Sequence, residues 1–157
     1  MSAPKSVVKI RGTNVEYISK VDFACYNIYE LSRAAMRDVG KFLANSIRAG
    51  LRKMPGSKQD KEVKSFTAGH ITYKVPYNPD GLPYLQVGTK PESWYNEEHE
   101  LGSSKKPKFG ILKKTAQDNI AKIIEIESKY LSALEDEARA LSLINEGEYS
   151  EGGGGIE

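Results

Sequence analysis

Apolar residues recur at Ile28, Leu31, Ala35, Val39, Phe42, Leu43, Ile47 and Leu51, the three-and-four spacing that lines one face of an α-helix. Arg33, Arg37, Asp38, Lys41, Asn45 and Arg48 fall on the other faces. The pattern predicts a helix that opens at Asp22, a residue type whose carboxylate satisfies free N-terminal N–H groups. It must close near Met54, because Pro55-Gly56 cannot continue it. At ~1.5 Å per residue, residues 22–53 would span about 48 Å. A domain of this size cannot cover such a helix alone, so part of it is expected to pack against something else.

Beyond a polar loop at 56–63, the period changes from three-and-four to two. Val63, Ser65 and Thr67 alternate with Lys64 and Phe66, and Ile71, Tyr73 and Val75 alternate with Thr72 and Lys74. Asn78-Pro79-Asp80-Gly81 is a turn signal within PYNPDGLP, and the runs YLQVG and SWYNEEHELG read as further strands. Near the N-terminus, VVKI is a short strand candidate with Gly12-Thr13-Asn14 as a turn. After Pro107 helical spacing returns at Leu112, Ala116, Ile120, Ile123, Ile124, Tyr130, Leu131, Leu134, Ala138 and Leu141, with a stop at Asn145-Glu146-Gly147. Glu127 interrupts this stripe, which implies a bend, or a C-terminal half that faces water or a partner. The expected class is α+β: a long N-terminal helix, a small antiparallel sheet of three to four strands, and a second long helix. Residues 1–146 form a single domain in this reading, and 147–157, with Gly152 to Gly155, a disordered acidic tail.

Charge sharpens the division. Residues 135–157 carry seven acids and one base, a net of −6, while the remaining residues carry a net of +8. A basic body with an acidic tail points to electrostatic contact with neighbours, or to a solvated surface with a solubilising tail. The 39% hydrophobic and 28% charged fractions are those of an ordinary globular chain. No apolar run approaches the ~18 residues of a membrane span, so no membrane partner is expected. MSAPKSVVKIRG has no apolar core for a signal peptide, so synthesis in the cytoplasm is expected. Cys25, in the apolar run FACYNIY, is expected to be a small buried hydrophobe.

The densest chemistry lies at 99–119, HELGSSKKPKFGILKKTAQDN. HELGS starts like the zinc motif H-E-x-x-H, but Ser103 stands where the second histidine is needed. A phosphate loop would require G-x-x-x-x-G-K-[ST], and Gly102 is the only glycine ahead of the lysines. Glu97, Glu98 and Glu100 could pair as acid and base, yet neighbouring acids in a polar strand-loop are usually solvated. No metal, cofactor or catalytic role is expected. Two readings remain. In one, Lys105, Lys106, Lys108, Lys113 and Lys114 contact phosphates while Trp94, Tyr95 and Phe109 stack on bases. In the other, Gly102 releases a strand, Ser103-Ser104 satisfy loop hydrogen bonds, Pro107 stiffens the entry, and Phe109, Ile111 and Leu112 dock the second helix on the sheet.

The order Glu100-Leu101-Gly102-Ser103, Pro107, Phe109, Leu112, Ala116 resembles the tail-completion, or tail-to-head joining, proteins of long-tailed bacteriophages. The preceding long helix, Pro/Gly loop and hairpins are similar to that family as well. Lys108 and Gly110 interrupt the family's tighter Pro-Phe-Leu-x-Pro-Ala form, and no proline precedes Ala116. The resemblance implies a structural virion subunit of the tail neck that forms a ring, usually six-fold, at the tail-tube end. That ring would join the tube to the head connector, with DNA passing through its channel. It also implies that 56–63, including Lys58 and Lys61, and 103–108 order on contact with ring neighbours. Lys58, Lys61, Trp94, Tyr95, Glu100, Gly102, Ser103, Lys105, Lys106, Lys108 and Phe109 are the candidate partner-contact residues. The alternative is a small basic nucleic-acid-binding protein using lysines 105–114. A third is a toxin or nuclease with a site at Glu97, His99 and Glu100.

Overall fold

The computed structural model describes residues 8–11, 16–19, 21–53, 68–90, 100–101, 110–136 and 139–144. The expectations for 56–63, for a strand at 63–67 and for a tail at 147–157 lie outside the described residues. The class is α+β, with a long N-terminal helix and small antiparallel pairings. β1 (Val8–Arg11) and β2 (Glu16–Ser19) pair antiparallel, Val8 opposite Ser19 and Arg11 opposite Glu16, as the turn at Gly12-Thr13-Asn14 predicts. α1 runs from Val21 to Lys53. Asp22 therefore lies inside the helix rather than capping it, one residue from the predicted start. β3 (Ile71–Lys74) pairs antiparallel with β4 (Gln86–Thr89), Ile71 opposite Thr89 and Lys74 opposite Gln86. The described strands thus form two separate two-stranded pairings.

The β3–β4 connection follows its turn chemistry. The Leu82 N–H donates to Asn78 Oδ1 at 2.6 Å, and the Gly81 N–H to the Asn78 carbonyl at 2.9 Å. Gly81 sits at φ 79°, a left-handed conformation that costs glycine little. Tyr77 and Pro83 bridge above this turn. The Lys90 N–H donates to the His70 carbonyl at 3.0 Å, which carries the pairing one step past β3.

α1 is the spine for two cores. Its N-terminal half supplies Leu31, Ala34 and Ala35 to a cluster with Tyr130, Ala133, Ala140, Leu143 and Ile144. Its C-terminal half supplies Ala44, Ile47 and Leu51 to a second cluster with Ala68 and Ile71, against which Tyr73, Val87, Ile111 and Leu112 pack. Between the clusters lies Gly40, where a Cβ would come within 2.5 Å of Tyr73 Cδ2 and 2.8 Å of Leu85 Cδ1. Glycine suits this position because the Tyr73 and Leu85 side chains of the hairpin press directly on the α1 backbone. Arg48 fastens the same crossing, donating from Nη2 to the Ile71 carbonyl at 2.6 Å and from Nη1 to Asn45 Oδ1 at 3.0 Å.

The α1 stripe is corrected at its N-terminal end. Ile28, predicted to be inside, is 48% exposed, and Cys25, predicted to be buried, is exposed. Arg37, placed on a polar face, is buried together with Asn27 and Glu30. Helical spacing reports that a face is apolar, not how far along the helix its cover extends.

The second helix is interrupted. α2 (Ile111–Asp118) and α3 (Ile120–Leu131) meet at Asn119, whose φ of −114° leaves the helical range. The Asn119 N–H donates to the Ala116 carbonyl at 3.3 Å, and its side chain donates from Nδ2 to the Thr115 carbonyl at 2.8 Å, the acceptor a regular helix would have given that N–H. A 3₁₀ turn, Ser132–Glu135, follows α3. Asp136 is then extended, and its Oδ1 accepts from the Arg139 N–H at 3.3 Å to start helical residues 139–144. Apolar residues continue across these joints, so periodicity could not reveal them.

Candidate functional site

Glu100 is the one candidate partner-contact residue that falls within the described residues. Lys58, Lys61, Trp94, Tyr95, Gly102, Ser103, Lys105, Lys106, Lys108 and Phe109 lie outside them. Residues 100–101 are helical, so at this point the strand expected over SWYNEEHELG is corrected. The Glu100 carboxylate accepts from the Leu112 N–H at 3.1 Å through Oε2 and from the Lys113 N–H at 3.3 Å through Oε1.

These two N–H groups belong to the first turn of α2, where no intrahelical acceptor exists. The residue at the cap position, Gly110, has no side chain to offer and sits at φ 57°, ψ 35°. Glu100 does from ten residues away what Asp or Ser does at an ordinary cap. The contact is charge-assisted and aligned with the helix dipole. Ile111 and Leu112, on the same turn, pack against the second core cluster, so α2 docks chiefly on α1 rather than on the sheet that the docking reading named. Both Glu100 oxygens are thus engaged with backbone, which leaves the acid poorly placed as a proton shuttle.

The second feature is apolar. Between α1 and α3 lies a groove of about 260 Å³, lined by Ile28, Leu31, Met36, Tyr130, Leu131 and Leu134 among others, with Glu127 at its edge. Ile120, Ile124, Leu131 and Leu134, the last two also lining the groove, form a ridge exposed by 54%, 55%, 64% and 44%, with the exposed Glu127 between Ile124 and Leu131. The stripe predicted for the second helix divides between these faces. Its buried members turn towards α1 through Tyr130, and the missed residues Ala133, Ala140, Leu143 and Ile144 complete that core. The remaining apolar members face outward. Glu127, which breaks the stripe in the sequence, was the signal that this half of the helix is not wholly covered.

Two lysines of the predicted basic cluster are placed. Lys113 and Lys114 are exposed on the first turns of α2. Among the described residues, no three His, Cys, Asp or Glu side chains converge to hold a metal ion, and no helix is long and apolar enough to cross a membrane. No family model, no curated protein and no solved structure matches this chain.

Proposed function

We propose that this chain is a structural subunit of a bacteriophage tail neck, a tail-completion protein that forms a ring on the tail-tube end and joins it to the head connector. The observation that carries the reading is the outward apolar ridge Ile120, Ile124, Leu131 and Leu134 beside an open groove. Exposed apolar side chains grouped on one side of a helix in this way suit a contact with another protein. The engagement of Glu100 with the first turn of α2 supports the same reading, since it turns the chain's most reactive-looking motif into a brace. In this reading the fold holds a small antiparallel sheet of three to four strands, the loops 56–63 and 103–108 meet ring neighbours, and residues 147–157 form a flexible acidic tail. Its place is the virion tail, reached after synthesis in the host cytoplasm.

The test is negative-stain microscopy of the protein mixed with purified tail tubes. Rings seated at one end of the tube support the reading, and their loss in Ile124→Glu assigns the contact to the ridge. Tubes that stay bare at saturating protein, with the protein folded, overturn it. The lysine-cluster alternative predicts instead salt-sensitive nucleic-acid binding that disappears when Lys105, Lys106 and Lys108 become Glu.

A further inference from the structure

The second helix carries two stripes at three- and four-residue steps, one turned to the core and one exposed. Ile123 and Ile126 are half-buried, and Tyr130 and Ala133 are buried in the first cluster. One residue further along from each lie Ile124, Glu127, Leu131 and Leu134, and with Ile120 these are exposed. Steps of four and three are those of a heptad seam, the surface by which one helix receives the side chains of another. Across the groove, Ile28 and Met36 of α1 form the facing wall.

A seam of this kind asks for an apolar residue at every position, and Glu127 occupies its middle. A carboxylate there weakens any contact that covers it without a partner. The lysines of α3 are engaged elsewhere: Lys122 pairs with Glu125 at 2.7 Å, and Lys129 lies 5.6 Å from the centre of the Tyr130 ring. Glu127 thus brings a negative charge to the lining of an otherwise mostly apolar groove.

The place of this charge selects among occupants. Glu127 stands midway between Ile120 and Leu134 in the sequence. A second copy laid along the whole seam, parallel or antiparallel, therefore brings its own Glu127 beside this one. Like charges facing each other across a helix contact are destabilising. Residues 145–157 of the chain itself are no better suited, since they hold four acids and no base. A helix that sets a Lys or Arg against Glu127 gains a charge-assisted contact in apolar surroundings.

We infer that the groove between α1 and α3 receives a basic amphipathic helix of another protein, with aliphatic residues at heptad steps and a Lys or Arg against Glu127. This rests on the reading of the ridge as a protein contact and states what that contact selects. Ile28, Leu131 and Leu134 take up the aliphatic side chains, the helix-in-groove mode of recognition. Glu127 fixes the register, as a single polar group does in a helix pair. It also rejects a helix that is apolar or acidic at the facing position.

The test uses three synthetic helical peptides, stapled so that each is helical as a monomer, and the full chain. Each has leucine at the heptad positions of three repeats, except for one central position that holds Lys, Leu or Glu. Fluorescence anisotropy should rank them Lys, Leu, Glu in falling affinity, with about tenfold between the first and the last. Glu127→Lys, at an exposed position, should reverse the order of the Lys and Glu peptides. Leu131→Glu should weaken all three about tenfold or more. The inference is overturned if no peptide binds saturably, if the Lys and Glu peptides bind within twofold of each other, or if Glu127→Lys keeps the parent's order. It is equally overturned if sedimentation shows self-association of the parent that Ile124→Glu abolishes, because a second copy then covers the seam. Should the peptides fail while rings still form on tail tubes and are lost in Ile124→Glu, the basic helix falls and the ridge contact stands. Should the peptides bind while the tubes stay bare, the tail-neck reading falls alone.

Discussion

The Tyr130 hydroxyl donates to Asp38 Oδ2 at 2.5 Å, joining α3 to the middle of α1 across 92 positions of chain. Tyr130 itself is 5% exposed and lies in the first core cluster. The ring is thus an apolar filler whose polar end meets a carboxylate at the rim, the usual way a buried tyrosine is satisfied. Tyr130→Phe keeps the packing and removes the bond, and should cost about 1 kcal/mol, since the carboxylate partner remains solvated. Urea denaturation should show a lower midpoint at unchanged slope, and Asp38→Asn, which keeps an acceptor oxygen, should cost less than Asp38→Ala.

Two glycines of α1 should respond to alanine with opposite sign. At Gly50 an added Cβ meets nothing within 4 Å. Gly50→Ala should therefore gain up to ~1 kcal/mol of helix propensity. At Gly40 the same gain is set against Tyr73 at 2.5 Å and Leu85 at 2.8 Å. Overpacking typically costs ~1–3 kcal/mol, so Gly40→Ala should be a net loss. Thermal melts of the two variants decide it, and a stabilised Gly40→Ala would show that the hairpin does not press on the helix.

Removing the brace at α2 should be a local event. Glu100→Ala leaves the Leu112 and Lys113 N–H groups without their acceptor and should cost about 1 kcal/mol, the usual worth of a helix cap. Hydrogen exchange at those two amides should speed up by more than exchange at the amides of α3. Glu100→Gln retains one acceptor and should fall between the two. Equal protection in parent and alanine variant would mean that Gly110 and water suffice.

The ridge should separate stability from assembly. Ile124 is 55% exposed, so Ile124→Glu removes little buried area and should change stability by no more than ~0.5 kcal/mol. Ile47, 2% exposed in the second cluster, should cost ~2–5 kcal/mol as Ile47→Ala. Capture by tail tubes should follow the reverse order, abolished in the folded ridge variant and retained, at low temperature, by the core variant. Chemical denaturation paired with a co-sedimentation assay measures both.

How far these relationships could be read in advance depended on their range along the chain. α1 was legible over almost its whole length because Leu31, Ala35, Val39, Leu43, Ile47 and Leu51 repeat one spacing without a break. The Asn78–Gly81 turn was legible because its hydrogen bonds close within four residues. The brace at Glu100 was not, since a carboxylate reaching twelve positions ahead leaves no local pattern. The break at Asn119 was hidden by apolar residues on both sides, which signal a face but not continuity of the backbone. Cys25 and Ile28 were misplaced for the opposite reason: the spacing continues past the end of the core that would cover them.

The two clusters on α1 share a helix but no residue. Leu31 and Ile47 lie sixteen positions apart on it, a rise of about 24 Å. At that separation energetic effects are additive to within ~0.5 kcal/mol. Each half of the molecule can therefore accumulate its own substitutions without disturbing the other. The face around the first cluster can be refitted to a new neighbour while the end that carries the β3–β4 ribbon keeps its shape, and α1 supplies the fixed distance between them.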